Sequence, residues 1–218
     1  MTKAEITKKI TDVGIVPVVR AASAAQAFAA AEAVCAGGIS VVEVTMTVPG
    51  AVEVIAQLVK SLGSAVLVGA GTVLDAGSAR RCLDAGAQFL VSPGFDLETV
   101  KFANSQGVPI IAGALTPTEV ITAWNAGSDF VKIFPCGNVG GAKYIKALKG
   151  PLPQIPMVPT GGVNLNTAAE FILAGSAAVG VGGELVLASA LKSGNTREIT
   201  ELAKQYVAVV REARGAKV

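Results

Sequence analysis

The chain has 218 residues, 51% of them apolar and 16% charged, which suits one large buried core and excludes an extended disordered segment. A net charge of +2, from scattered lysines and arginines, argues against nucleic acid or an anionic membrane surface as partner. There is no histidine, so His-based triads, His general bases and His-rich metal sites are excluded, and Lys, Glu, Asp, Tyr and Cys are left for acid/base or nucleophilic work.

The opening MTKAEITKKI spreads its charges through the segment and has no apolar core, so it reads as a helix rather than a signal peptide. IVPVVR (15–20) is the first expected strand and ends in Arg20. The Ala-rich stretch that follows is interrupted by Gln26, Glu32 and glycines and makes a poor membrane span. Further apolar runs are VVEVT (41–45), VLVGA (66–70), FLVS (89–92), PIIAG (109–113), FVKIF (130–134), MVPT (157–160) and AVGVG (178–182). Glycines at 37, 63, 86, 107, 127, 150 and 175 close helix-like segments just before these runs, as helix C-caps do. Continuous apolar strands alternating with helices point to a (β/α)8 TIM barrel with an extra N-terminal helix, in one domain spanning 1–218. The last helix is expected over roughly 198–214; a doubly wound open sheet is the alternative. Cys35, Cys82 and Cys136 form no CxxC pair and are odd in number, as reduced thiols in a cytoplasmic protein would be.

Charge within the strands is confined to Arg20, Glu43 and Lys132. Alternation places Val41, Glu43 and Thr45 on one face of the second strand, and Phe130, Lys132 and Phe134 on one face of the sixth. If these faces point inward, a carboxylate and an ammonium look at each other across the barrel. A structural salt bridge is the plain reading, yet a buried ion pair stabilises weakly because desolvation offsets its Coulomb gain. The chemical reading accounts for more. Among apolar neighbours Lys132 is expected to supply a neutral amine that attacks a carbonyl and forms a Schiff base, while Glu43, its pKa raised by burial, moves protons.

Two diglycines, Gly161–Gly162 after the seventh strand and Gly182–Gly183 after the eighth, lie where barrels of this kind hold a phosphate on backbone N–H groups. GAGT (69–72) and SPG (92–94) add further backbone donors and small hydroxyls at the mouth. Cys136 reads as a small loop residue, Trp124 as helix packing, and Lys143, Lys146 and Lys149 as a solvated helix face.

VVEVT, VGAGTV, VSPG, DFVKIFP and VPTGGV, in this order, closely resemble the 2-keto-3-deoxy-6-phosphogluconate (KDPG) and 4-hydroxy-2-oxoglutarate aldolases, over nearly the whole chain from Ile15. The resemblance implies a class I aldolase needing no metal or other cofactor. It would be a homotrimer, cleaving KDPG to pyruvate and glyceraldehyde 3-phosphate as in the Entner–Doudoroff pathway. By matching motifs, Lys132 would be the Schiff-base lysine and Glu43 the acid/base residue. Thr72 would hold the pyruvate carboxylate, Pro93 and Phe134 would wall the pocket, and Thr160, Gly161 and Gly162 would line the distal end. Some members carry an arginine where this chain has Thr47, a role that Arg20 is then expected to take. Many carry a serine where this chain has Gly183, followed here by Glu184. The galactonate epimer is a rival substrate; a metal-dependent isomerase, which would want His ligands, and a non-catalytic barrel are rival functions.

Overall fold

The computed structural model describes residues 1–215. Helix α1 (Lys3–Val13) comes first, opened by a capping box between Thr2 and Glu5 and closed by Gly14 at φ +72°. Then follow β1 (Ile15–Val19), α2 (Ala24–Ala36), β2 (Val41–Thr45), α3 (Ala51–Leu62), β3 (Leu67–Gly71), α4 (Ala76–Asp84), β4 (Leu90–Val91), α5 (Leu97–Ser105), β5 (Ile110–Ala114) and α6 (Pro117–Asn125). The rest is β6 (Phe130–Ile133), α7 (Ala142–Lys149), β7 (Met157–Pro159), α8 (Ala168–Leu173), β8 (Val179–Val181), α9 (Ala188–Ser193) and α10 (Thr196–Gly215). The strands pair in parallel in the order β7-β6-β5-β4-β3-β2-β1-β8, and a bridge between Thr160 and Gly180 joins the two ends. The sheet is therefore a (β/α)8 barrel with an added N-terminal helix, not an open doubly wound sheet. All eight expected strands are present. β4 is shorter than its apolar run because Ser92 turns its hydroxyl onto the Gly94 carbonyl (2.6 Å) and begins the loop.

Strand alternation sorts the core into two layers. Val42, Val44, Val131 and Ile133 face outward and pack under the helices, in a cluster running around the whole barrel. Val41, Leu67, Phe89, Ile111, Phe130 and Val158 face inward and meet Ile6 and Ile10 of α1, which plugs the N-terminal end of the barrel. The plug is held by polar contacts too. Lys3 pairs with Asp129 at 3.0 Å, and Arg214 of α10 donates to the carbonyls of Thr11, Asp12 and Ala177. With the lower interior filled by apolar side chains, only the upper interior, at the strands' C-terminal ends, is left for polar groups.

Trp124 is half-buried on α6, as expected of packing. Lys143 and Lys146 are exposed on α7, but Lys149 is not part of that solvated face: its ammonium donates to the carbonyls of Pro153 (3.1 Å) and Ile155 (2.6 Å). The proline-rich approach to β7 leaves those carbonyls without sheet partners, and Lys149 satisfies them.

Candidate active site

Glu43 and Lys132 occupy the upper interior, on strands that stand four apart in the eight-stranded order and so face each other. Both are buried, at 1% and 4% exposure. The four ion pairs among the described residues all lie elsewhere, so the two charges are not joined in a structural salt bridge. Lys132 lies against Phe134, its Nζ 5.4 Å from the ring centre. Glu43 Oε1 is buried without a hydrogen-bond partner. Burial raises the pKa of its carboxyl, against the pull of Lys132 and Arg20. An orphaned acid and an amine lacking a carboxylate partner, enclosed in one apolar barrel, are costly to the fold and ready for chemistry.

Room for Glu43 comes from β3. A Cβ on Gly71 would fall on the Glu43 carboxylate, and one on Gly69 would meet the Phe89 ring. On the other side, Gly113, which pairs with Lys132 across β5 and β6, leaves space for the backbone of Pro93. Ser92 fixes that turn by accepting the Gly113 N–H (3.3 Å) while donating to Gly94. These inward glycines and Ser92 are the positioning residues that sequence reasoning missed. Their signal was glycine at period two within apolar strands, which reads first as turn or mouth.

Thr72 follows β3 at φ +57°, the one described non-glycine residue in the left-handed region. Such a conformation costs about 1–3 kcal/mol and marks sites where a side chain or N–H is being aimed. Thr47, a candidate substrate-binding residue at the place where some members carry an arginine, lies exposed just after β2. Thr45 donates its hydroxyl proton to the Val19 carbonyl (3.1 Å), so in the 2.7 Å contact between the two hydroxyls Thr47 is the donor. With its proton engaged, exposed Thr47 offers only lone pairs to an anion.

Arg20, Phe134, Thr160, Gly161, Gly162, Gly182 and Gly183 come together around one cavity of about 210 Å³ at the ends of β1, β7 and β8. Thr160 is 5% exposed, and its backbone is committed on both sides, its N–H to Ile133 and its carbonyl to Cys136. Its side chain projects inward over Gly180, where a Cβ would collide with it. Glu184 also lines the cavity. Larger surface clefts of about 760 and 770 Å³ flank it; Lys132 and Glu43 line none of the three, and the 210 Å³ cavity is tied to them through Phe134, whose ring lies against Lys132. Cys136 is buried, its thiol pushed up to about 12 by desolvation, so it is no nucleophile. Among the described residues no group of three His, Cys, Asp or Glu side chains is placed to hold a metal.

Comparison with known proteins agrees with this geometry. The family model for KDPG and KHG aldolases matches residues 6–202. The 2-dehydro-3-deoxy-phosphogluconate aldolase of Treponema pallidum is 36% identical over 94% of this chain and 97% of its own. The KHG/KDPG aldolase of Escherichia coli K12 is 35% identical over 88% and 90%. A crystal structure of the KDPG aldolase of Legionella pneumophila, with pyruvate captured as a covalent carbinolamine, superposes with TM-score 0.84 at 33% identity, covering 91% of this chain and 96% of that one. Matched by the family model over residues 6–202 and by relatives about 35% identical over most of its length, the chain belongs to the KDPG and KHG aldolase family.

Proposed function

We propose that the protein is a class I aldolase cleaving 2-keto-3-deoxy-6-phosphogluconate reversibly to pyruvate and glyceraldehyde 3-phosphate, with 4-hydroxy-2-oxoglutarate as a second substrate. The observation that carries this reading is the buried Lys132 without a carboxylate partner, opposite a buried Glu43 whose Oε1 has no hydrogen bond. The Lys132 amine attacks the C2 carbonyl, and Glu43, its pKa raised by desolvation, gives its proton to the departing hydroxyl as the iminium forms. The resulting carboxylate takes the proton of the C4 hydroxyl, and the C3–C4 bond breaks into the aldehyde and an enamine on Lys132. Protonation of the enamine at C3 and hydrolysis release pyruvate and restore the amine. Phe134, whose ring lies against Lys132, and Pro93, whose backbone lies against Gly113, keep water from the enamine; Thr72 and Arg20 meet anionic groups, and the two diglycines receive the phosphate.

Thr160 is assigned the preference for the gluconate configuration over the galactonate epimer, because it lines the cavity and the family resemblance sets it beside the C4 hydroxyl. Aldol cleavage of KDPG, its galactonate epimer and 4-hydroxy-2-oxoglutarate, each with and without EDTA, tests the reading. Cleavage of KDPG unaffected by EDTA supports it; loss of activity with EDTA, or no cleavage of any of the three, contradicts it.

Two wider expectations belong to the same reading. A homotrimer rests on family resemblance, and a sedimentation mass of three 21.8 kDa chains is its test. No described helix is long and apolar enough to cross a membrane, and the three cysteines are unpaired, which supports a reducing cytoplasmic location.

A further inference from the structure

The distal cavity has two ionisable lining side chains of opposite sign, Arg20 and Glu184. Glu184 takes part in none of the ion pairs among the described residues, so its charge is not neutralised by a neighbour. Glu184 is exposed, but its turn is anchored at the cavity rim: the Gly182 carbonyl accepts the N–H groups of both Leu185 (3.0 Å) and Val186 (2.9 Å), and these two residues are buried. A phosphate dianion entering here meets backbone donors and one guanidinium but also one carboxylate, whose repulsion acts on both of its charges. A terminal hydroxyl meets the same carboxylate as a strong acceptor, since hydrogen bonds to an ionised group exceed those to a neutral one.

We propose that Glu184 is a specificity-determining residue that penalises a distal phosphate and accepts a hydrogen bond from a distal hydroxyl. The enzyme therefore uses the unphosphorylated 2-keto-3-deoxy sugar acid alongside its phosphate ester. The inference rests on the aldolase reading for its substrates, but not for its electrostatics. On the cleft side Glu184 shares its surroundings with Arg197, Glu198 and Glu201, a net negative set that leaves the carboxylate's charge uncompensated from outside.

The test is kcat/KM for KDPG and for 2-keto-3-deoxygluconate, which has the same carbon chain without the phosphate, in wild type and Glu184→Gln. Glutamine keeps the shape and removes the charge. KDPG is expected to improve about 3- to 10-fold, chiefly through KM, while the unphosphorylated acid loses about 2- to 5-fold as its acceptor becomes a neutral amide. An unchanged or lower value for KDPG, or equal change on both substrates, overturns the proposal. Calorimetric titration with inorganic phosphate runs beside it and needs no turnover: affinity should tighten several-fold in Glu184→Gln. Equal affinity, or no binding by either protein, also overturns the proposal. Should neither sugar acid be cleaved by wild type, the aldolase reading fails while the phosphate titration still decides the role of Glu184.

Discussion

Glu43 sets chemistry against stability at a single side chain. Because burial raises its pKa above the ordinary 4.5, the folded protein holds this proton more tightly than the unfolded chain does. Its contribution therefore favours the fold fully below the ordinary value and is lost as pH rises through the folded one. Glu43→Gln, neutral at every pH, should melt above wild type at about pH 8, each kcal/mol appearing as about 2–4 °C, and the margin should vanish near about pH 4. The same variant should lose about 10²- to 10⁴-fold in kcat, the usual size of general acid/base catalysis. Melting curves across pH together with kcat check both; equal stability at every pH would mean that the carboxyl is not held against a desolvation cost. Thr160 is tested by Thr160→Val, which keeps the volume and removes the hydroxyl. kcat/KM for KDPG should fall by a buried hydrogen bond's worth, roughly 1–3 kcal/mol, with the galactonate epimer little changed. A uniform loss on both epimers would make Thr160 a residue that only shapes the loop.

At the scale of the strand, β3 shows why an apolar run with glycines resists reading. Its sequence LVGAG gives outward Val68 and Ala70 for the helices and inward Gly69 and Gly71 for the ring of Phe89 and the carboxylate of Glu43. From the sequence the glycines read as a mouth rich in backbone donors, because which side chain fills the space opposite is a property of β2 and β4, not of β3. Gly71 has no positive φ, so what stands against alanine there is space, and the nearest atoms a Cβ would meet all belong to Glu43. Gly71→Ala should cost about 1–3 kcal/mol as an overpacked site and displace the acid, lowering kcat. Adding Glu43→Ala should return most of that stability, a non-additivity that thermal denaturation of the single and double variants can measure. Simple addition of the two effects would show that Gly71 serves some other neighbour. By contrast Glu43 and Lys132 were legible from the sequence, since a charge at an inward position of an apolar strand is visible by alternation alone. Lys149 was misread for the opposite reason. Helical spacing placed it with Lys143 and Lys146, and only the fold shows the carbonyls of Pro153 and Ile155 beneath it.

The whole molecule separates stability from chemistry along the barrel axis. Its lower end is closed by α1 and tied by Arg214 to the Ala177 carbonyl just before β8, while the upper end carries the polar side chains of the candidate site. Strand count, helix alternation and the added helix were readable because each period ends in a C-cap glycine and each strand is buried on both faces. Closure was expected of a barrel, but the contact that makes it, between Thr160 and Gly180, was not readable, because it depends on one side chain fitting over a glycine about twenty residues away. That architecture leaves one amine enclosed where a carbonyl substrate would bind. Incubation with pyruvate and borohydride, followed by peptide mapping, tests this directly: one pyruvate-derived group per chain should become irreversibly attached to Lys132. Attachment at another lysine, or none in protein that turns over KDPG, would contradict the account.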